Sequence, residues 1–380
     1  MSRFRYPCTG RTATEGFGAF LEQELGPSRR SLNALARALS DTFGAPHVAL
    51  TNSGSSANLA AALALREVTG PGEALVAGFT FPTTLSSLLS AGYAARAVDT
   101  EAGGFGMAPA ALEAALTPET KVVCVTHFLG FPARLRALVS LARRRGARVL
   151  QDACETMDLQ VDGAPAHALG DLTTWSFYHP HHLSAFGGGA VLSPDGAWHA
   201  RVDSLVHWGR ACTCHLEEVP CSAPAGMHHQ FHYVRRGHNL EMSELNACFG
   251  RFTLQTWGEQ EARRRAHYDV LFRALKGVPG VRVWPAPAGS GSPFVFPFEL
   301  SGRPIEPFAE AMAGHGVEVR SLMGGPVVDQ PAYADVPHDG LQKCRALARS
   351  AGFVGVHQTL PDADVAEVAR LLAQELGAQA

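Results

Sequence analysis

Between residues 47 and 153 the chain repeats one pattern: a short apolar run rich in valine and alanine, then a stretch with helical spacing. His47–Thr51 leads to Ser56–Arg66, Ala74–Phe79 to Thr83–Ala91, and Lys121–Phe128 to Arg134–Arg145, with Arg148–Ala153 next. Runs this short and this apolar fit strands buried on both faces, and the helical stretches supply the crossovers, so a parallel sheet covered by helices is the expected core. Gly70-Pro71-Gly72 and Thr117-Pro118 fall between the runs, where connections should be short. Past residue 255 the pattern changes. An apolar stripe of Ala262, Ala266, Val270, Leu271 and Ala274 predicts a long helix over Trp257–Leu275. Short runs at Val281–Trp284, Phe294–Leu300 and Val317–Leu322 then mix with helical patterns at Ile305–Ala313 and Val365–Leu376, and Pro285–Pro293 reads as a loop. The expected organisation is α/β: a large domain with a mixed or parallel sheet over residues 1–255, and a smaller C-terminal α+β domain over residues 256–380.

Composition excludes several classes. With 46% hydrophobic residues in 380, the chain can bury a sizeable core. A net charge of −3, with no run of Lys or Arg longer than three, offers no field for a phosphate backbone, so no nucleic-acid partner is expected. No apolar run reaches the roughly 18 residues of a membrane span, and the opening Met-Ser-Arg-Phe-Arg-Tyr-Pro carries no apolar signal core, which reads as a cytoplasmic protein without a membrane partner. Eight cysteines are too sparse for a disulfide scaffold, and in a reducing compartment a spaced subset points to metal or redox chemistry.

Three segments carry chemistry. Thr51-Asn52-Ser53-Gly54-Ser55-Ser56-Ala57-Asn58 follows a strand run and opens a helix, where small residues let N–H groups and hydroxyls close on a phosphate. Alone, such a turn is no more than an N-cap. Gln151-Asp152-Ala153-Cys154 adds an acid at the carboxyl end of a parallel strand, where open sheets bind ligands, and an aspartate there can keep a pyridine nitrogen protonated. Gly170-Asp171-Leu172 through Ser176-Phe177-Tyr178 to Ser184 then runs into Gly187-Gly188-Gly189.

With the Phe79-Thr80-Phe81-Pro82 turn and the segment Gly237-His238-Asn239-Leu240-Glu241-Met242-Ser243-Glu244, these motifs resemble the DegT/DnrJ/EryC1/StrS sugar aminotransferase family over nearly the whole chain. The resemblance implies a fold-type-I, pyridoxal-phosphate-dependent aminotransferase-like fold. It also implies that Gly54, Ser55 and Ser176 hold the cofactor phosphate, that Phe81 stacks on the ring, and that Asp152 pairs with the ring nitrogen. Asn239 would reach the phosphate from the neighbouring subunit of a homodimer.

In ordinary members the SF-x-x-x-K segment supplies the cofactor-anchoring lysine; here that place is His181. The chain has three lysines, Lys121, Lys276 and Lys343, and none lies in a motif that could take over. An imidazole remains a competent base and acid near neutral pH. A branch of the family, the hexulose 3-dehydrases, carries SFY-x-x-HH, which Ser176-Phe177-Tyr178-His179-Pro180-His181-His182 matches. The resemblance implies non-covalently bound pyridoxamine 5′-phosphate, with His181 as general base and acid and Tyr178 either aiding proton handling or packing. The alternatives are a solvated or metal-binding histidine cluster and a pseudo-enzyme that has lost its lysine.

Cys154 is followed by Cys212, Cys214 and Cys221, the last three forming C-x-C-x6-C. The spacing resembles that of CDP-6-deoxy-4-hexulose 3-dehydrases, which implies a [2Fe–2S] cluster, although four thiolates suit zinc as well. If Arg148–Cys154 stays extended, Asp152 and Cys154 share one side about 6.5 Å apart, placing a metal beside the cofactor. Arg210 and Arg320 could meet a nucleotide diphosphate. The reaction so implied is iron–sulfur-assisted removal of the C3 hydroxyl from a nucleotide-linked 4-keto sugar. Its electrons would come from a separate NAD(P)H-dependent flavin or iron–sulfur reductase, because no G-x-G-x-x-G fingerprint occurs. A cluster-free dehydratase that regenerates the cofactor with glutamate, and a non-catalytic cofactor-fold partner protein, are the alternatives.

Overall fold

The computed structural model describes residues 4–10, 12–24, 30–212, 224 and 226–378. Two helices, α1 (Phe17–Glu24) and α2 (Arg30–Phe43), precede β1 (His47–Thr51), α3 (Gly54–Thr69), β2 (Glu73–Ala77), α4 (Pro82–Ser90) and β3 (Ala94–Val98). Next come α5 (Pro109–Ala115), β4 (Thr120–Thr126), α6 (Leu135–Arg144), β5 (Arg148–Asp152), a two-strand ribbon of β6 (Gln160–Val161) and β7 (Ala164–Pro165), then β8 (Leu172–Ser176) and β9 (Gly189–Ser193). Helices α7 (Gly196–Val206), α8 (Glu244–Leu254) and α9 (Trp257–Leu275) lead to β10 (Val281–Val283), β11 (Val295–Leu300), α10 (Glu306–Gly314), β12 (Arg320–Ser321), α11 (Gln342–Ser350), β13 (Ala351–Gly355) and α12 (Asp362–Ala378).

The large sheet has the order β1-β9-β8-β5-β4-β2-β3. Neighbours from β8 to β3 pair in parallel, while β9 runs antiparallel between β1 and β8, so the sheet is mixed. Register fixes the site. Gly189 faces both Thr51 and Ser176, and Asp152 faces both Thr126 and Thr174, which brings the carboxyl ends of β1, β4, β5 and β8 to one edge. Helix α3 lies across that edge; its buried stripe of Ala57, Ala60, Ala61 and Ala64 has no bulk to hold it off the sheet. A second sheet, β10-β11-β13-β12, is antiparallel throughout. It has its own core of Tyr268, Leu271, Phe296, Phe298, Val354 and Leu372, to which α9 and α12 contribute.

The predicted helix over Trp257–Leu275 is α9. Strands β3, β8, β9 and β13 escaped the apolar-run reading, because alanine, glycine, threonine and serine dominate them and tertiary pairing, not hydrophobic run length, makes them strands. The expected run Val317–Leu322 yields only the two residues of β12, since Val317 pairs instead with Tyr6. That pairing ties residues 5–8 to the second sheet: the Tyr6 hydroxyl donates to Gly355 O at 2.8 Å and Arg5 meets Asp364 and Glu367. Among the described residues no helix is long and apolar enough to cross a membrane.

Candidate active site

A cavity of about 920 Å³ opens where the strand ends meet, near the upper end of the roughly 300–1,000 Å³ usual for small-molecule sites. The first wall is the entry to α3. Ser53 caps this helix, its hydroxyl accepting from Ser56 N at 3.0 Å, and leaves Gly54 and Ser55 at the positive end of the dipole. Gly54 fits only because it has no side chain: a Cβ there would lie 2.7 Å from Ser176 Cβ and 3.1 Å from Cys154 Sγ. The Ser55 hydroxyl donates to Thr83 Oγ1 at 2.8 Å, and Ser176 Oγ accepts from Tyr178 N at 3.3 Å. Gly187 and Gly188 also line the cavity and hold φ values of 136° and 121°, conformations that side chains resist.

Asp152 is buried at the end of β5 and fully engaged. Its Oδ2 accepts from Asn58 Nδ2 at 3.1 Å and from the Thr84 hydroxyl, and its Oδ1 accepts from Cys154 N at 3.1 Å. Thr174 in turn donates to Asn58 Oδ1 at 2.6 Å, so one chain of hydrogen bonds orients the carboxylate. The Cys154 contact corrects an expectation: β5 ends at Asp152 and the chain turns back on its own carboxylate, so the extended geometry does not continue to Cys154. Burial foremost, then the Asp152 charge, pushes the Cys154 thiol well up.

His181 lines the cavity, stacked on Phe294 with ring centroids 5.1 Å apart and planes 17° apart. Burial holds its pKa down to about 4, with the Asp152 charge working the other way, so the ring is neutral near pH 7. Its Nδ1 is buried with no hydrogen-bond partner. Tyr178 also lines the cavity and is largely exposed, as is Phe81 at the mouth (53%). Arg320 lines it too, held by Glu318 at 2.8 Å. Glu155, which the motif reading passed over, faces the same space; burial pushes its carboxyl up to about 8 while its Oε2 accepts from Leu129 N at 2.6 Å. Asn58, Thr84 and Thr174 were also unread, since a helix interior and a strand interior give no sign that their polar groups converge.

Two candidate residues lie apart from the cavity. Arg210 does not line it; its guanidinium sits over the Trp208 ring at 4.4 Å and its backbone pairs with Tyr233. Asn239 is exposed, its backbone bridged to His207, and it does not line its own chain's cavity.

The residues present fit a pyridine phosphate. The cradle at Gly54 and Ser176 matches an anion at a helix terminus, the hydrogen-bonded Asp152 suits a ring N–H, and the His181 side chain lines the same cavity. Of the four cysteines, only Cys154 and Cys212 are among the described residues. Cys214 and Cys221 lie outside the described residues. Cys212 is buried in a disulfide, with His229 Nδ1 3.7 Å from its sulfur, and does not share the cavity with Cys154. Among the described residues no group of three or more His, Cys, Asp or Glu side chains could hold a metal ion.

Comparison with known proteins places this geometry. The dTDP-4-dehydro-2,6-dideoxy-D-glucose 3-dehydratase of Saccharopolyspora spinosa is 28% identical over 381 residues, covering 92% of this chain and 80% of that protein. The dTDP-4-amino-4,6-dideoxy-D-glucose transaminase of Escherichia coli is 27% identical, over 69% of this chain and 66% of its own length. In fold, the structure of E. coli GDP-4-keto-6-deoxy-D-mannose-3-dehydratase with bound hydrated PLP superposes with a TM-score of 0.87 at 20% identity, over 98% of this chain and 99% of the other. Residues 11–373 match the family's sequence profile, and the chain belongs to the DegT/DnrJ/EryC1/StrS aminotransferase family.

Proposed function

We propose that the chain removes the C3 hydroxyl from a nucleotide-linked 4-keto sugar, using pyridoxamine 5′-phosphate and forming no covalent anchor. The observation that carries this reading is His181: at the place of the anchoring lysine stands a neutral imidazole with a free buried Nδ1, and no lysine lines the cavity. Bound there, the cofactor supplies an amine for the keto carbon and a ring that accepts electrons. Gly54, Ser55 and Ser176 hold its phosphate at the start of α3, and Phe81 covers its ring. Asp152, oriented by three donors, pairs with the ring nitrogen. His181, which lines the cavity, takes a proton and returns it to the departing oxygen, and Tyr178, which also lines it, assists that transfer. Arg320 meets the diphosphate from this chain, while Arg210 and Asn239 serve across the interface of a homodimer. A relative that is a sugar 3-dehydratase supports the reaction class.

The cysteine spacing suggests a finer reading, in which the Cys212 disulfide is reduced and Cys154, Cys212, Cys214 and Cys221 bind a [2Fe–2S] cluster fed by a separate NAD(P)H reductase. Its support is the sequence spacing alone, and no chemical step is derived from it. Iron and sulfide analysis of anaerobically purified protein decides it: a colourless, iron-free protein removes the cluster and leaves the cluster-free dehydratase, with glutamate restoring the amine. The main reading is tested by incubating enzyme and pyridoxamine phosphate with dTDP- or CDP-linked 4-keto-6-deoxy sugars. Wild type should give a product that has lost its C3 oxygen and His181→Asn none; an amino sugar as product would falsify the proposal.

A further inference from the structure

Helix α9 reaches the active site without touching the cavity. Glu261 and Arg264, one turn apart on this helix, converge on Ser292. The Ser292 N–H and hydroxyl both donate to the Glu261 carboxylate, the latter at 2.9 Å, while Arg264 Nε donates to Ser292 Oγ at 3.1 Å. Arg264 Nη2 donates to Phe294 O at 2.7 Å and Nη1 to Gln358 Oε1 at 3.2 Å. Arg264 is 1% exposed. A guanidinium taken this far from water is tolerable only when its donors are used, and here two of the three hydrogen bonds it donates hold residues 292–294.

Those residues in turn hold both histidines. Ser292 O accepts from His182 Nε2 at 2.9 Å, and the Phe294 ring lies flat against His181. Phe294 N donates to Leu129 O at 3.0 Å, which fixes the other side of the segment. This matters because the ring torsion of histidine is soft and broadly two-fold. In many active sites a carboxylate bonded to the second nitrogen orients the imidazole. Among the described residues Nδ1 of His181 has no such partner, and the Phe294 face lies against the ring and sets its plane.

We infer that Glu261, Arg264 and Ser292 form a brace that acts through Phe294 to fix the orientation of His181, making these four the positioning residues of the reaction proposed above, on which the inference rests. A purely structural role would lower stability without separating kcat from KM. The test uses holoenzyme reconstituted with pyridoxamine phosphate. Phe294→Leu should lower kcat roughly ten- to a hundredfold, because a misaligned base loses its near-attack geometry. Phe294 also lines the cavity, so KM should change as well, but by less than kcat, as expected when the main loss is in the transition state. Phe294→Tyr, which keeps the flat ring, should bring kcat back. Arg264→Met should show the same split, and since it strips a buried cation and can fail to fold, the Phe294 pair carries the test.

A second readout needs no turnover. The imidazole Hε1 resonance of His181, assigned through its loss in His181→Asn, should carry a ring-current shift that Phe294→Leu removes and Phe294→Tyr preserves. Wild-type kcat in Phe294→Leu, a tyrosine variant as slow as the leucine one, or an unmoved resonance overturns the brace. If wild type turns over no keto sugar, the functional reading fails by itself, and the resonance alone decides whether Phe294 orients the ring.

Discussion

Adding one methyl at Gly54 separates a phosphate cradle from an ordinary helix cap. In Gly54→Ala the new Cβ would stand 2.7 Å from Ser176 Cβ, 3.0 Å from Ser176 Oγ and 3.1 Å from Cys154 Sγ. The first of these is closer than real Cβ contacts allow, so Ser176 or the start of α3 must shift. Overpacking of this kind costs about 1–3 kcal/mol, and alanine's helix preference returns at most about 1 kcal/mol. Stability should therefore fall only modestly. Ligand binding should suffer more, since moving Ser176 loses a hydrogen bond to a charged oxygen worth about 1.5–3 kcal/mol. At 1.4 kcal/mol per decade, the Kd for pyridoxamine phosphate should rise roughly ten- to a hundredfold. Fluorescence titration of the apoprotein measures it, with Gly258→Ala as control, because nothing lies within 4 Å of a Cβ there. If Gly54→Ala and Gly258→Ala bind the cofactor alike, the phosphate does not sit at the start of α3.

Two further outcomes follow from titrating groups away from the cavity. Burial works against the Asp99 carboxylate, but N–H groups of Cys344, Lys343 and Thr100 outweigh it and hold its pKa low, so Asp99 caps α11 from outside. Asp99→Asn should cost about 1 kcal/mol at pH 7; the contribution is present above the unfolded value near 3.9 and lost as pH falls through the lower folded value, so urea melts of the two proteins should converge in acid. Burial likewise opposes charge on His207, yet Asp203 at 2.9 Å and then Glu241 raise its pKa. That contribution is complete below the unfolded value near 6.5 and lost as pH rises through the higher folded one. His207→Gln should therefore destabilise more at pH 5.5 than at pH 8.5, and equal losses at both would refute the pairing.

Much of the site was legible because its anchors sit in local patterns. Gly54 follows a strand run, Asp152 ends one, and His181 occupies a fixed step beyond Ser176-Phe177, so each could be placed by counting. The network around Asp152 was not legible, since Asn58 and Thr84 reach it across 94 and 68 residues of sequence. Arg264 shows the limit most clearly. Within Arg263-Arg264-Arg265 nothing local tells the three apart, but Arg263 turns to Asp362, Arg265 to Ser290 and Gly291, and only the middle one lies on the buried face of α9. The helix was foreseen; which arginine it would bury depended on the loop that packs against it.

The pairing of Tyr6 with Val317 also has a meaning in time. Cys8 and Thr9 line the cavity, yet their neighbours are anchored to residues that leave the ribosome hundreds of positions later, at Val317 and Gly355. At 5–20 residues per second, that front edge waits roughly 20–70 s for its partners. During synthesis the first sheet also waits, because its core packs against Val327, Leu341, Cys344 and Phe353, and the pocket has no closed wall until the second sheet is complete. A nascent chain with α3 already in place would still lack the wall that Cys8 and Thr9 give the cavity.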